Sequence, residues 1–302
     1  MKKVVINGIC YELDNSSNSA FVCSLDGVKY AGEIILPFVV YYEGKKYLLV
    51  KINDRAFKEC DALTSITIPY MLDIGIQAFA DCKSLLSVNI LSCDYESHSI
   101  FEDLTRYSRI EEEAFRSCQS LTSLHIGNYI GYIGDHAFSG CSSITSVVLP
   151  NNLQSIGDWA FSYCSKLTNI NIPESLWTIG EGAFYYCCSL ASISITGKLS
   201  TINEKAFAQC KSLTSIVFPE GIVNIHKWAF AECDALNYVS VPSSLSWLGY
   251  GVFEGAFSLK SIDYGGTIEQ WYRIYNIDNV DWRGLHSRIK LIKCLDGMLM
   301  LH

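Results

Sequence analysis

Apolar positions recur in a fixed order along most of the chain. A segment L-x-x-I-x-I-P, as in Leu63-Thr64-Ser65-Ile66-Thr67-Ile68-Pro69 and Leu167-Thr168-Asn169-Ile170-Asn171-Ile172-Pro173, alternates apolar and polar residues. That period of two predicts a strand with one buried face. All six prolines, at 37, 69, 150, 173, 219 and 242, fall just after this segment. Proline has no N–H for a ladder, so it closes the strand there. A loop then leads to Ile-Gly, as at Ile156-Gly157, and to Ala-Phe-x-x-Cys. Alanine, phenylalanine and cysteine at that spacing face one way on a helical or 3-10 turn. The predicted unit is therefore a strand, a loop and a short helical turn.

The unit repeats. Ala-Phe stands at 56–57, 78–79, 114–115, 137–138, 160–161, 183–184, 206–207 and 229–230, and Val252-Phe253 follows in phase. The steps are 22, 36 and then 23 six times. Three residues beyond each Ala-Phe phenylalanine sits a cysteine: Cys60, Cys82, Cys118, Cys141, Cys164, Cys187, Cys210 and Cys233. A catalytic thiol needs one special environment that lowers its pKa. Eight equivalent environments instead predict a column of small buried side chains, because free cysteine packs as a hydrophobe. On this reading Cys164→Ser costs roughly 1–3 kcal/mol by burying a hydroxyl with no assigned partner. A unit of this kind cannot bury its own apolar face and stacks on its neighbours, strands about 4.8 Å apart. The expected fold is an α/β solenoid of about ten parallel strands, with helical or 3-10 turns opposite.

The ends depart from the repeat. Residues 1–52 predict a β-rich N-terminal cap leading into the first repeat, with a hairpin in FVVYYEGKKYLLV turning at Glu43-Gly44-Lys45. Repeats fill 53–265, and 266–302 form a C-terminal cap in which Trp271, Ile274 and Tyr275 cover the last rung. Caps are required because an open solenoid end exposes core and unpaired edge. The step of 36 marks an insertion near 91–107 carrying Tyr95, His98, Phe101 and Tyr107. Long loops in compact folds are often functional, so Tyr95 and Phe101 are binding candidates.

The combination L-x-x-I-x-I-P then I-G-x-x-A-F-x-x-C resembles the BspA-like leucine-rich repeat family, over residues ~33–265. Tyr42-Glu43-Gly44 with Tyr47, and Gly266-Thr267-Ile268-Glu269-Gln270-Trp271, are similar to flanks in that family. The resemblance implies a leucine-rich-repeat solenoid of the kind displayed or secreted by host-associated bacteria, binding host matrix proteins or other cells. It implies no catalytic residues.

Composition narrows the partners. The chain has 302 residues, 49% hydrophobic and 18% charged, with a net charge of −8. An acidic chain without a basic run cannot neutralise phosphates, so nucleic acid is not an expected partner. The absence of an apolar run of about 18 residues predicts no membrane insertion. The start, MKKVVINGICYELD, lacks a secretory h-region. The resemblance implies a cell-surface or secreted location, reached after removal of a leader; the cytoplasm is the alternative. No C-x-x-C or H-E-x-x-H spacing occurs, so no metal, cofactor or catalytic site is expected. Of the cysteines outside the ladder, Cys10 and Cys23 are the pair expected to bridge. Ligand candidates fall in two groups. The outward face of the strands is small and polar except at a few positions such as His125, Tyr238 and Asp263, and the candidates on it are His125, Asn169, Asn171, Tyr238 and Asp263. On the turns, Trp159, Tyr163 and Tyr186 lie outside the Ala-Phe-Cys phase, and Tyr163 and Tyr186 share a phase one rung apart. The function these point to is non-enzymatic binding of a protein or glycan at a cell surface; the alternative is an intracellular protein-interaction scaffold.

Overall fold

The structure, a computed structural model, describes residues 1–92, 107–196, 198–276 and 289–301. Its repeats stack as a solenoid. The predicted strands form the first ladder: β4 (Ala31–Ile35), then Ala62–Ile68, Ser87–Ile90, Ser123–His125, Ser146–Val147, Asn169–Asn171, Ser192–Ser194, Ser215–Val217, Tyr238–Val241 and Ser261–Tyr264. These ten pair in parallel in runs of four, three and three. Register holds apolar against apolar, as Ile66 on Val88 and Ile170 on Ile193.

A second parallel ladder runs through the Ile-Gly positions. It starts at the end of β6 (Lys45–Ile52) and continues through short strands such as Ser155–Ile156 and Thr178–Ile179. The glycine after the isoleucine is set by close approach of adjacent rungs. A Cβ on Gly157 would lie 2.3 Å from Asp135 Oδ1 and 2.7 Å from Asp135 N.

The turns opposite are not helical, which differs from the expected helical or 3-10 geometry. In every one of the nine turns the residue before Ala (or Val252) has positive φ, from Arg55 (59°) through Trp159 (57°) to Gly251 (64°). The residue before each cysteine, or before Ala256, has it too, as at Tyr163 (59°) and Tyr186 (60°). This alternation sends every second N–H to the next rung. Trp159, Phe161 and Tyr163 donate to the carbonyls of Glu181, Ala183 and Tyr185 at 2.7–2.8 Å. The N–H groups between them close local turns instead, as Ser162 N to Trp159 O at 3.0 Å. The turn is thus a third inter-rung ladder, and that is the reason it does not coil into a helix.

Inside, the nine phenylalanines from Phe57 to Phe253 are fully buried in one column. Successive rings are stacked, with centroids such as 4.8 Å for Phe57–Phe79 and 5.2 Å for Phe138–Phe161. The ladder cysteines line the same core, and each thiol from Cys82 to Cys233 donates to the phenylalanine carbonyl of the preceding turn. Cys164 Sγ reaches Phe138 O at 3.4 Å and Cys187 Sγ reaches Phe161 O at 3.3 Å. The partner that the sequence could not assign is therefore present.

At the N-terminal end, β1 (Lys2–Ile6), β2 (Ile9–Asp14) and β3 (Ser19–Cys23) form an antiparallel meander, and β3 joins β6 in parallel. β5 (Val39–Tyr42) pairs antiparallel with β6 around Glu43-Gly44. At the other end, α1 (Ile268–Asn276) buries Trp271, whose ring meets Tyr264 edge-on at 5.1 Å. Two further strands, Leu291–Cys294 and Gly297–Met300, extend the first ladder.

Candidate binding face

The sheet-face candidates are spread out. His125 and Asp263 lie six rungs apart on one column, roughly 30 Å at about 4.8 Å per rung. His125, Asn169 and Asn171 are exposed, and Tyr238 is 41% exposed. Two of the five are already engaged within the chain. Asn171 accepts from Leu149 N at 2.9 Å and donates to Leu149 O at 3.2 Å, so its amide continues the ladder where the neighbouring strand stops. Asp263 pairs with Lys293 of the C-terminal extension at 3.1 Å. The structure brings no two of these five into a common pocket. Tyr95 and Phe101, with His98, lie outside the described residues.

The turn-side candidates do meet. Trp159 sits in the positive-φ position before Ala160, and the same position one rung on is Gly182. The indole lies flat over that glycine: a Cβ there would be 2.5 Å from Trp159 Cε3. On the preceding rung His136 stacks on the indole at 6.5 Å and 9°. Tyr185, half-buried, meets Trp159 edge-on at 5.3 Å and Tyr163 edge-on at 5.5 Å. Tyr163 and Tyr186 then lie 5.4 Å apart, 48% and 37% exposed. Five aromatic rings on three consecutive rungs thus form one platform, with Tyr163 and Tyr186 outermost.

Its geometry is fixed from beneath. The left-handed backbone at Trp159, Tyr163 and Tyr186 recurs in every turn, so it belongs to the repeat rather than to a strained site. Ser162 is buried, bonds Ser139 Oγ and donates to Trp159 O, each at 2.8 Å. Gln209 Nε2 donates to Tyr185 Oη at 3.2 Å. Burial pushes the Tyr185 phenol above its ordinary pKa, so it remains a neutral hydroxyl. On the next two rungs, Lys205 and Lys227 each sit 5.3 Å over the Trp228 ring, and both ion-pair with Glu204 at 3.0 and 3.1 Å. That second group is satisfied within the chain, with Trp228 Nε1 donating to Glu254 at 3.1 Å.

Tyr185 and His136 were absent from the candidates drawn from the sequence. Tyr185 follows the phenylalanine, a position filled by serine or alanine in several other rungs, as at Ser139, Ser162 and Ala208. Tyr185 is the one aromatic residue at that position across the nine turns, and that was the available signal. Among the described residues no three or more His, Cys, Asp or Glu gather to hold a metal ion. Among the same residues no helix is long and apolar enough to cross a membrane.

Stacked parallel strands, a phenylalanine column and a turn ladder every 23 residues define a leucine-rich-repeat solenoid. Residues 50–106, 91–213 and 200–276 match the BspA type leucine rich repeat region in six copies, and the chain belongs to that family. It is similar to a leucine rich cell surface protein of Faecalibacterium prausnitzii A2-165, at 23% identity over 91% of this chain and 97% of that one, TM-score 0.45. It is also similar to the T. pallidum leucine rich repeat protein TpLRR, at 22% identity over 85% and 91%, TM-score 0.45. A third, from Bacteroides ovatus ATCC 8483, is 23% identical over 91% and 97%, TM-score 0.30. Comparison with curated proteins gave no match.

Proposed function

We propose that this chain is a non-enzymatic binding solenoid at a cell surface, which holds a protein or glycan ligand on the Trp159–Tyr185–Tyr163–Tyr186 platform. The observation that carries this reading is the pair of exposed tyrosine rings braced by half-buried aromatics. Tyrosine supplies large, rigid contact area with a polar tip, at low cost in side-chain entropy. The scattered sheet face has no comparable anchors. The ring faces suit the apolar face of a sugar as well as a protein side chain, and the phenol hydroxyls offer hydrogen bonds to either.

The test is a titration of matrix proteins and glycans against the full chain, followed by calorimetry. An anchor aromatic contributes upward of about 1–2 kcal/mol, so the Tyr163→Ala, Tyr186→Ala double variant should lose tenfold or more in affinity. Trp177→Ala, which removes a 60% exposed indole outside the platform, should bind as the parent does. Equal affinity of the double variant would remove the platform as the site. If no ligand binds saturably and protease spares the chain in intact cells until lysis, the intracellular scaffold is the better reading.

A further inference from the structure

The N-terminal meander holds two cysteines that the core column does not use. Cys10 on β2 and Cys23 on β3 are directly opposite in the antiparallel pair. They are 1% and 4% exposed, with Sγ atoms 2.9 Å apart. Opposed residues of an antiparallel pair have Cα atoms about 4.5–5.5 Å apart, within the about 4.4–6.8 Å that a disulfide spans. Tyr30 fixes the register between them. Its hydroxyl accepts from Cys10 N at 3.1 Å and donates to Cys23 O at 3.2 Å. Its ring packs at 4.7 Å on Phe57, the first of the phenylalanine column. The column cysteines from Cys82 to Cys233 are arranged differently, each thiol directed at a backbone carbonyl.

The geometry points to Cys10 and Cys23 as a redox site: the pair closes to a cystine by exchange with a small disulfide during folding, and the folded cap then retains the state in which it formed. One cysteine thiolate attacks a sulfur of the small disulfide, forming a mixed disulfide and releasing one thiol. The second cysteine attacks the mixed disulfide, forming the Cys10–Cys23 bond and releasing the other thiol. Two chain thiols are oxidised, one small disulfide is reduced to two thiols, and the two protons pass to those leaving groups. Retention follows from access and ionisation. Exchange requires a thiolate that can reach its target. In the folded cap both sulfurs are buried, and burial together with the Cys10 contact pushes the Cys23 thiol up to about 12. In the unfolded chain neither restraint exists. The cap therefore records the redox character of the compartment where the chain folded.

The tryptic peptide 4–29 contains Cys10 and Cys23 and no other cysteine. The full chain is refolded from denaturant in a buffer of oxidised and reduced glutathione. Chain already folded and reduced is exposed to the same buffer for the same time. Both samples are alkylated in denaturant and digested. Oxidative refolding should yield peptide 4–29 without alkyl groups and two hydrogens lighter, and that product should melt at a higher temperature than the reduced chain. The pre-folded sample should yield the doubly alkylated peptide. Double alkylation after oxidative refolding, or linkage of 4–29 to another peptide, overturns the site. Equally fast closure in the pre-folded chain overturns the retention.

Discussion

At the scale of a residue, Cys164 shows how the column cysteines differ from simple apolar filler. Its side chain is fully buried and its thiol donates to Phe138 O, which also accepts Cys141 N at 3.1 Å. A serine hydroxyl at this point can donate to the same carbonyl. The cost of Cys164→Ser should therefore fall to about 1 kcal/mol, the scale of exchanging one satisfied hydrogen bond, rather than that of an unpaired buried hydroxyl. Cys164→Ala should cost at least as much, since it removes both the donor and buried volume. Urea denaturation of the two variants decides the matter: serine costing 3 kcal/mol or more would mean that the carbonyl is not its partner. The same distinction separates candidates on the sheet face. Asn171 stands on the outward face as a ligand residue would, yet its amide is occupied by both backbone groups of Leu149.

At the scale of an element, the turn is the part of the fold that spacing left ambiguous. Ala-Phe-x-x-Cys puts three side chains on one face in a helical turn, and equally in the turn with two left-handed residues. Glycine would have announced the left-handed positions, but they are held mostly by residues such as Arg55, Gln77, Glu113, Lys205 and Trp228. The first ladder was legible because its strands alternate for several residues and end at proline. The second was not, since two residues such as Ser155–Ile156 are too short to show a period. Thr267-x-x-Gln270 has the spacing of a capping box and forms one, with Thr267 Oγ1 accepting from Gln270 N at 3.2 Å and Gln270 Oε1 from Thr267 N at 2.8 Å. In the candidate site the shared phase of Tyr163 and Tyr186 foretold their contact. Tyr185 is one residue out of phase, and its junction with Trp159 depends on ring direction, which spacing does not fix. One pairing between turns is testable. Trp159 lies over Gly182 and Trp228 over Gly251, where a Cβ would meet the indole at 2.5 Å in each case. Gly182→Ala should cost about 1–3 kcal/mol from overpacking plus about 1–2 kcal/mol for a left-handed alanine. In a Trp159→Ala background only the second part should remain. A double-mutant cycle with no coupling between the two sites would show that the indole does not rest on the glycine.

At the scale of the whole molecule, stacking the same thiol through eight rungs makes stability depend on pH in a way no single site would. Burial pushes the thiols of Cys82, Cys164, Cys187, Cys210 and Cys233 well above the usual value, that of Cys233 to about 12. In the unfolded chain the same thiols ionise near pH 8.5. Between those limits the folded state binds more protons than the unfolded state, so stability falls as pH rises. The contribution is complete below the unfolded pKa and is lost as pH climbs toward the folded one. Each thiol adds a slope of about 1.4 kcal/mol per pH unit, and five acting together add about 7. A domain is commonly stable by about 5–15 kcal/mol, so unfolding should come within about one to two pH units above the thiol range. Urea midpoints measured across this range should be level to about pH 8 and fall steeply from about pH 9. Cys187→Ala removes one titrating group from the unfolded state. It should lower stability at neutral pH yet make the alkaline slope shallower by about 1.4 kcal/mol per pH unit. An unchanged slope would show that the column thiols ionise alike in both states, which a dry, repeating core does not permit.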